Sequence, residues 1–163
     1  MKKIIGLFVL FAFTIIFTGC PYQSTIPIDD TPEISVDSKL IGNWGTSNTS
    51  YYKVSKKSNY LYSIIYVELD SNGIEEISSK YEGYLSKIGN VTYLNLKDLD
   101  ETNSEGKYYI YKFEFENGNI ILTGVTPYIK EDFSDSKELK KFFKKNQDNS
   151  YFFMDPVEYR KIR

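Results

Sequence analysis

The chain has no histidine and a single cysteine, Cys20, among its 163 residues. Without imidazole it lacks the commonest general base near neutral pH and the commonest metal ligand. One thiol cannot close an internal disulfide, nor can it build a Cys/His zinc site, which takes four ligands. Alanine is nearly missing too, with Ala12 its one instance, so the best helix former is absent from the rest of the chain. Neither sign of charge dominates: 20 Lys and Arg stand against 22 Asp and Glu. The two signs are interspersed, and the basic face expected of a nucleic-acid binder is not visible.

What fills the space is aromatic. There are 15 Tyr and 11 Phe, and every tyrosine lies beyond residue 21. Aromatic and β-branched side chains suit a pleated, half-buried surface. The length is that of one ordinary domain. A mainly β domain is therefore expected.

The first 19 residues read differently. Lys2 and Lys3 precede the uncharged run "IIGLFVLFAFTIIFT" over 4–18, a positive n-region followed by an apolar h-region. The run is shorter than the roughly 20 apolar residues of a membrane span, so a secretory signal is expected, with an uncleaved N-terminal anchor as the alternative. At its end, "FTGC" resembles the lipobox of bacterial lipoproteins, with small residues Thr18 and Gly19 before Cys20 and Phe17 in place of the usual leucine. That resemblance implies cleavage after residue 19 and acylation of Cys20. It also implies a place in the bacterial cell envelope, anchored to the lipid bilayer. The alternative is an ordinary signal peptide ending near a buried, unmodified Cys20. Two or three acyl chains, at about 0.8 kcal/mol per buried methylene, make a stable anchor. Loss of residues 1–19 leaves 18 basic against 22 acidic side chains, a formal charge of −4. Net charge would not hold such a body to anionic lipid.

Residues 20–38, "CPYQSTIPIDDTPEISVDS", carry three prolines and sustain neither a strand nor a helix period. They are expected to be a flexible tether. The domain proper then covers 39–163. Asn72-Gly73, Gly89-Asn90 and Asn117-Gly118 each separate strand-like runs, and such pairs supply the positive φ of tight hairpin turns. Strands are expected at 41–46, 50–56, 59–70, 74–88, 91–97, 107–116, 119–126 and 157–162. In "KYYIYKFEFE", Tyr109, Tyr111, Phe113 and Phe115 alternate with Lys112, Glu114 and Glu116, so the aromatics face inward. In 60–70, Leu61, Ile65, Val67 and Leu69 share a face, but Tyr60, Tyr62, Ile64 and Tyr66 oppose them. Something is expected to cover that second, outer face.

One helix interrupts the strands, near 136–146. Asp135 is its expected N-cap, with Glu138 three residues on. Leu139, Phe142 and Phe143 form an apolar stripe, and Lys140, Lys141, Lys144 and Lys145 take the wet side. The helix is expected to close a barrel mouth or to lie on an outer aromatic face. Eight antiparallel strands in a meander with one late helix predict an eight-stranded, barrel-like fold, since closure removes unpaired edges.

"KLIGNW" over 39–44 resembles the Gly-x-Trp opening of the lipocalin and calycin group, with Gly42 and Trp44 matching. The resemblance implies that Trp44 closes one barrel end and that a basic residue of the last strand, Arg160 or Arg163, packs across it. The group's Thr-Asp-Tyr element is missing, and the helix precedes the last strand instead of following it. On residues alone, Trp44 is equally well a large core side chain.

No catalytic residue is expected. The carboxylates sit on outward strand faces or in loops, and no pair spans a cleft as glycosidase chemistry requires. A carboxylate-dependent hydrolase is accordingly the weakest reading. Asp98, Asp100, Glu101 and Asn103 could offer oxygens to calcium but lack the EF-hand pattern, so no metal and no cofactor is expected. The inward Tyr109, Tyr111 and Phe113 either fill a core or line a pocket for a small apolar ligand, both open to an eight-stranded barrel. The expected function is a non-catalytic envelope lipoprotein that binds such a ligand. The alternative is a filled barrel that contacts another envelope protein, as an inhibitor or structural component.

Overall fold

A computed structural model describes residues 21–100 and 107–162. The signal segment, Cys20, Glu101, Asn103 and Arg163 lie outside the described residues. In chain order the elements are β1 (Gln23–Ser24), β2 (Gly42–Gly45), β3 (Ser50–Lys56), β4 (Tyr62–Leu69), β5 (Glu75–Ile88) and β6 (Val91–Asp98). They continue with β7 (Tyr108–Glu116), β8 (Asn119–Val125), α1 (Ser136–Asn146) and β9 (Phe153–Ile162).

The strands from β2 to β9 pair antiparallel in sequence order, and β9 returns to pair with β2 through Trp44 opposite Lys161. Eight strands thus form a ring, and β1 adds a two-residue edge to β7. The turns are those the Asn-Gly pairs predicted. Asn117 and Gly118 both take positive φ, at 52° and 82°, which is what a two-residue hairpin twisting with its strands demands. β9 starts four residues earlier than expected and carries Pro156 inside it. That proline lies opposite Thr123, where the β8–β9 register shifts, and an irregular ladder tolerates a missing N–H donor.

Two apolar clusters sit on opposite faces of the same strands. Inside the ring, Trp44, Tyr62, Ile64, Leu85, Leu94, Leu96 and Ile120 are buried together with Leu40. Outside it, Ile88, Tyr93 and Ile110 of β5, β6 and β7 are covered by Leu139 and Phe143 of α1, with Ile28, Val125 and Phe152. α1 therefore lies on the outer face of the ring, not across its mouth. This explains why Tyr93, Leu94, Asn95 and Leu96 are buried in succession: β6 has no wet face. In β4, Tyr62 and Ile64 face the interior, which reverses the sides expected for that strand.

α1 begins as its sequence predicts, with Asp135 Oδ1 accepting from the Glu138 N–H at 2.8 Å. The returning half of the motif is shifted by one residue, as Glu138 Oε2 accepts from Ser134 N–H at 3.1 Å. Leu139 and Phe143 are fully buried.

The expected tether is instead part of the fold over the described residues 21–38. Ile28 is fully buried, and its N–H donates to Asn95 Oδ1 at 2.8 Å. Asn95 itself is fully buried and donates to Ser86 Oγ at 2.8 Å. Tyr84 donates to the Asp29 carbonyl at 2.5 Å, and Ser136 to the Pro27 carbonyl at 2.7 Å. Further along, Ile34 and Val36 pack against the interior cluster. Local sequence gives no period here because the segment is ordered by distant partners.

Candidate functional site

The ring encloses an apolar cavity of about 80 Å³. Its walls come from nearly every strand: Trp44 of β2, Tyr52 and Val54 of β3, Tyr62 and Ile64 of β4, and Leu85 of β5. Leu94 and Leu96 of β6, Tyr111 and Phe113 of β7, Ile120 and Leu122 of β8, and Tyr159 of β9 complete them, with Leu40 at one end. Strand alternation puts one residue in two on this face. The site is thus the inward half of an alternating pattern, read around the ring.

Two of the three expected ligand-contacting residues, Tyr111 and Phe113, line the cavity. Tyr109 packs against the same interior cluster without lining the cavity. Phe115, expected on that inward face, is 39% exposed and meets Trp44 edge-on at 6.2 Å.

Trp44 is 2% exposed, and its indole N–H donates to the Leu40 carbonyl at 2.8 Å. The cation over its ring is Lys161, with Nζ 5.4 Å from the centroid. Arg160, expected in that place, is exposed and reaches Glu158 at 3.5 Å. The reason is alternation: Tyr159 faces the interior, so Lys161 shares its side and Arg160 points out. Gly42 makes room for this lysine, since a Cβ there would lie 2.7 Å from Lys161 Cε. Its φ of 142° also favours glycine.

The lining contains no carboxylate and no amine. Its titratable groups are phenols, and burial pushes Tyr52, Tyr62 and Tyr159 above the ordinary tyrosine range. They stay neutral at pH 7. The Tyr62 hydroxyl accepts from the Asp37 N–H at 2.8 Å, and Tyr52 packs against Tyr66 and Tyr159 at 4.9 and 5.7 Å. Such a wall can bury an apolar group and offer a phenol to a polar end. It provides no positioned acid and base.

No protein family, curated protein or solved structure matches the chain.

Among the described residues, no group of three acidic side chains is placed to hold a metal ion. Of the four candidate calcium ligands, Asp98 uses its carboxylate to cap its own loop, accepting from Asp100 N–H at 2.9 Å. Tyr52, Leu85, Leu94, Leu96 and Tyr159 also stand in the wall and carry no local signal that singles them out. Around Leu94 and Leu96 the alternation is present but hidden, because α1 also makes the opposite face of β6 apolar. Tyr52 and Tyr159 each fall in a strand whose inward side is chosen by ring closure, which no local window records.

Proposed function

We propose that this chain is a non-catalytic lipoprotein of the bacterial envelope, acylated at Cys20, whose ring acts as a small lipocalin-like barrel for a slim apolar ligand. The observation carrying this reading is the continuous, uncharged lining around the cavity. Its volume of about 80 Å³ is roughly half of the ~150 Å³ that holds a benzene ring. That limits the occupant to something narrow, such as the end of an acyl chain, unless wall side chains turn aside. Trp44, Gly42 and Lys161 form the closed end in this reading.

Trp44 is the chain's one tryptophan and stands in the wall, so a bound ligand must change its emission. The test is native mass spectrometry of the full chain from its host beside a Leu94→Phe variant. A reproducible added mass on the parent, lost from the variant and matched by a Trp44 emission shift, supports the barrel as a carrier. An apo mass for both, with unchanged emission, overturns it. The reading then passes to a protein contact, for which Ile74 and Ile77 at the β4–β5 hairpin, 62% and 61% exposed, are the favoured surface.

A further inference from the structure

The formal −4 of the mature chain conceals a segregation of charge. Along α1, Lys137, Lys140, Lys141, Lys144 and Lys145 occupy one continuous flank by helical spacing. Lys87 faces that flank across a groove floored by Ile28 and Ile88. Only Lys140 is neutralised, by Asp29 at 2.6 Å. Lys137, Lys141, Lys144 and Lys145 make no ion pair among the described residues, and all four are exposed.

Where the chain enters the fold gives this flank its partner. Pro21 lines a groove with Pro127 and Ile129, and Tyr22 packs against Phe143 of α1 at 6.4 Å. The segment does not wander, since Tyr22 N–H donates to the Val125 carbonyl at 3.0 Å. The described chain therefore begins, at Pro21 and Tyr22, beside α1. Tyr128 and Tyr151, 73% and 87% exposed, line a groove with Phe142 of α1, and exposed tyrosines suit the headgroup layer of a membrane.

We infer that the α1 face, with the four unpaired lysines and the two exposed tyrosines, docks on an anionic lipid bilayer. The inference rests on the acylated Cys20 of the reading above. The short, bound exit of the chain brings this face to the membrane, and the lysines select anionic headgroups. Glu131, Asp132, Asp135 and Asp148 flank the helix, Glu138 lies in its first turn and Asp30 lines the lysine groove; all oppose the contact, so docking needs anchor and lysines together. Each lysine near an anionic surface adds about fivefold to partitioning, an effect that salt screens.

The test uses the full acylated protein in vesicles of neutral lipid alone and in vesicles with one-third anionic lipid, read by the rate of lysine acetylation at each site. Lys137, Lys141, Lys144 and Lys145 should acetylate at least threefold more slowly on the anionic vesicles. Lys53 and Lys56 of β3 should not change, and high salt should abolish the difference. A quadruple Lys→Gln variant at the α1 positions should remain acylated, and Tyr128 and Tyr151, labelled in parallel by a tyrosine-selective reagent, should lose the protection that anionic vesicles give them in the parent. Equal rates in both vesicles would overturn the docking while leaving the anchor intact. Protection that is as strong on neutral vesicles would point to contact between copies of the protein and would also overturn it. An absent acyl mass on Cys20 would overturn the anchor reading itself, before any labelling.

Discussion

The inner and outer apolar clusters share strands β5, β6 and β7 but are packed on different terms. Outside, Phe143 meets Tyr93, Phe152 and Phe142 edge-on at 5.4, 5.1 and 6.5 Å, and all but Phe142 are nearly or fully buried. A buried polar knot at Asn95 fixes the adjoining chain. Inside, equally apolar side chains leave a cavity. The curvature of a ring limits how far opposite walls can meet, whereas a helix laid on a sheet can settle until contact is complete. Rigidity therefore belongs to the outer face, and room for an occupant to the inner one.

The largest expected effect comes from breaking the tight side. Phe143→Ala should cost about 3–5 kcal/mol in denaturant unfolding, the range for a fully buried phenylalanine. Leu94→Ala, which enlarges an existing void, should fall near the lower end of the leucine range, about 2–3 kcal/mol. If the interior deletion costs more than the exterior one, the contrast between the clusters is wrong. Next comes Asn95→Leu. It leaves the Ile28 N–H without its acceptor, and about 2 kcal/mol should be lost. Amide exchange at Ile28 should speed up well before that of the ring strands. Unchanged Ile28 protection would mean that the 21–38 segment is held by apolar contacts alone.

How much of this was legible depended on the range of the forces involved. The strand from Ser50 to Lys56 and the helix beginning after Asp135 are written in local terms: alternation, turn pairs and a capping aspartate. Neighbours in sequence decide the conformation there. Residues 21–38 differ, since three prolines and no period describe equally well a free tether and a strap. What makes it a strap is Asn95, 67 residues from Ile28, and a buried asparagine in "TYLNLKD" looks like any polar strand residue. The exchange of Arg160 for Lys161 has the same origin. Which side of β9 faces inward follows from its pairing with β2 across the whole chain.

A smaller effect is expected from filling the void. Leu94→Phe adds volume where the cavity can accept it, so stability should change by under about 1.5 kcal/mol in either direction. The same phenylalanine forced into the outer cluster, as in Leu139→Phe, meets full packing and should cost about 1–3 kcal/mol. Comparable losses at both sites, measured by thermal unfolding, would show the interior to be as full as the exterior.

The smallest effect sharpens the comparison through pH. The Tyr93 hydroxyl is buried without a hydrogen-bond partner among the described residues, and burial pushes its pKa above the ordinary phenol value. Tyr52, in the cavity wall, is raised for the same first cause. A raised group binds its proton more firmly in the native state, so its contribution is complete below about pH 10, where the unfolded phenol begins to ionise. Above that pH the unfolded chain loses protons the native one keeps. Stability then falls by up to about 1.4 kcal/mol per pH unit for each such tyrosine. Tyr93→Phe should be neutral or stabilising by about 1 kcal/mol at pH 7, because it removes an unsatisfied hydroxyl, and it should make the alkaline decline shallower. Tyr52→Phe should also flatten the decline, but less, if the cavity admits water to that phenol. Equal flattening by the two variants would mean that the cavity is as dry as the packed face, and would favour an apolar occupant there over water.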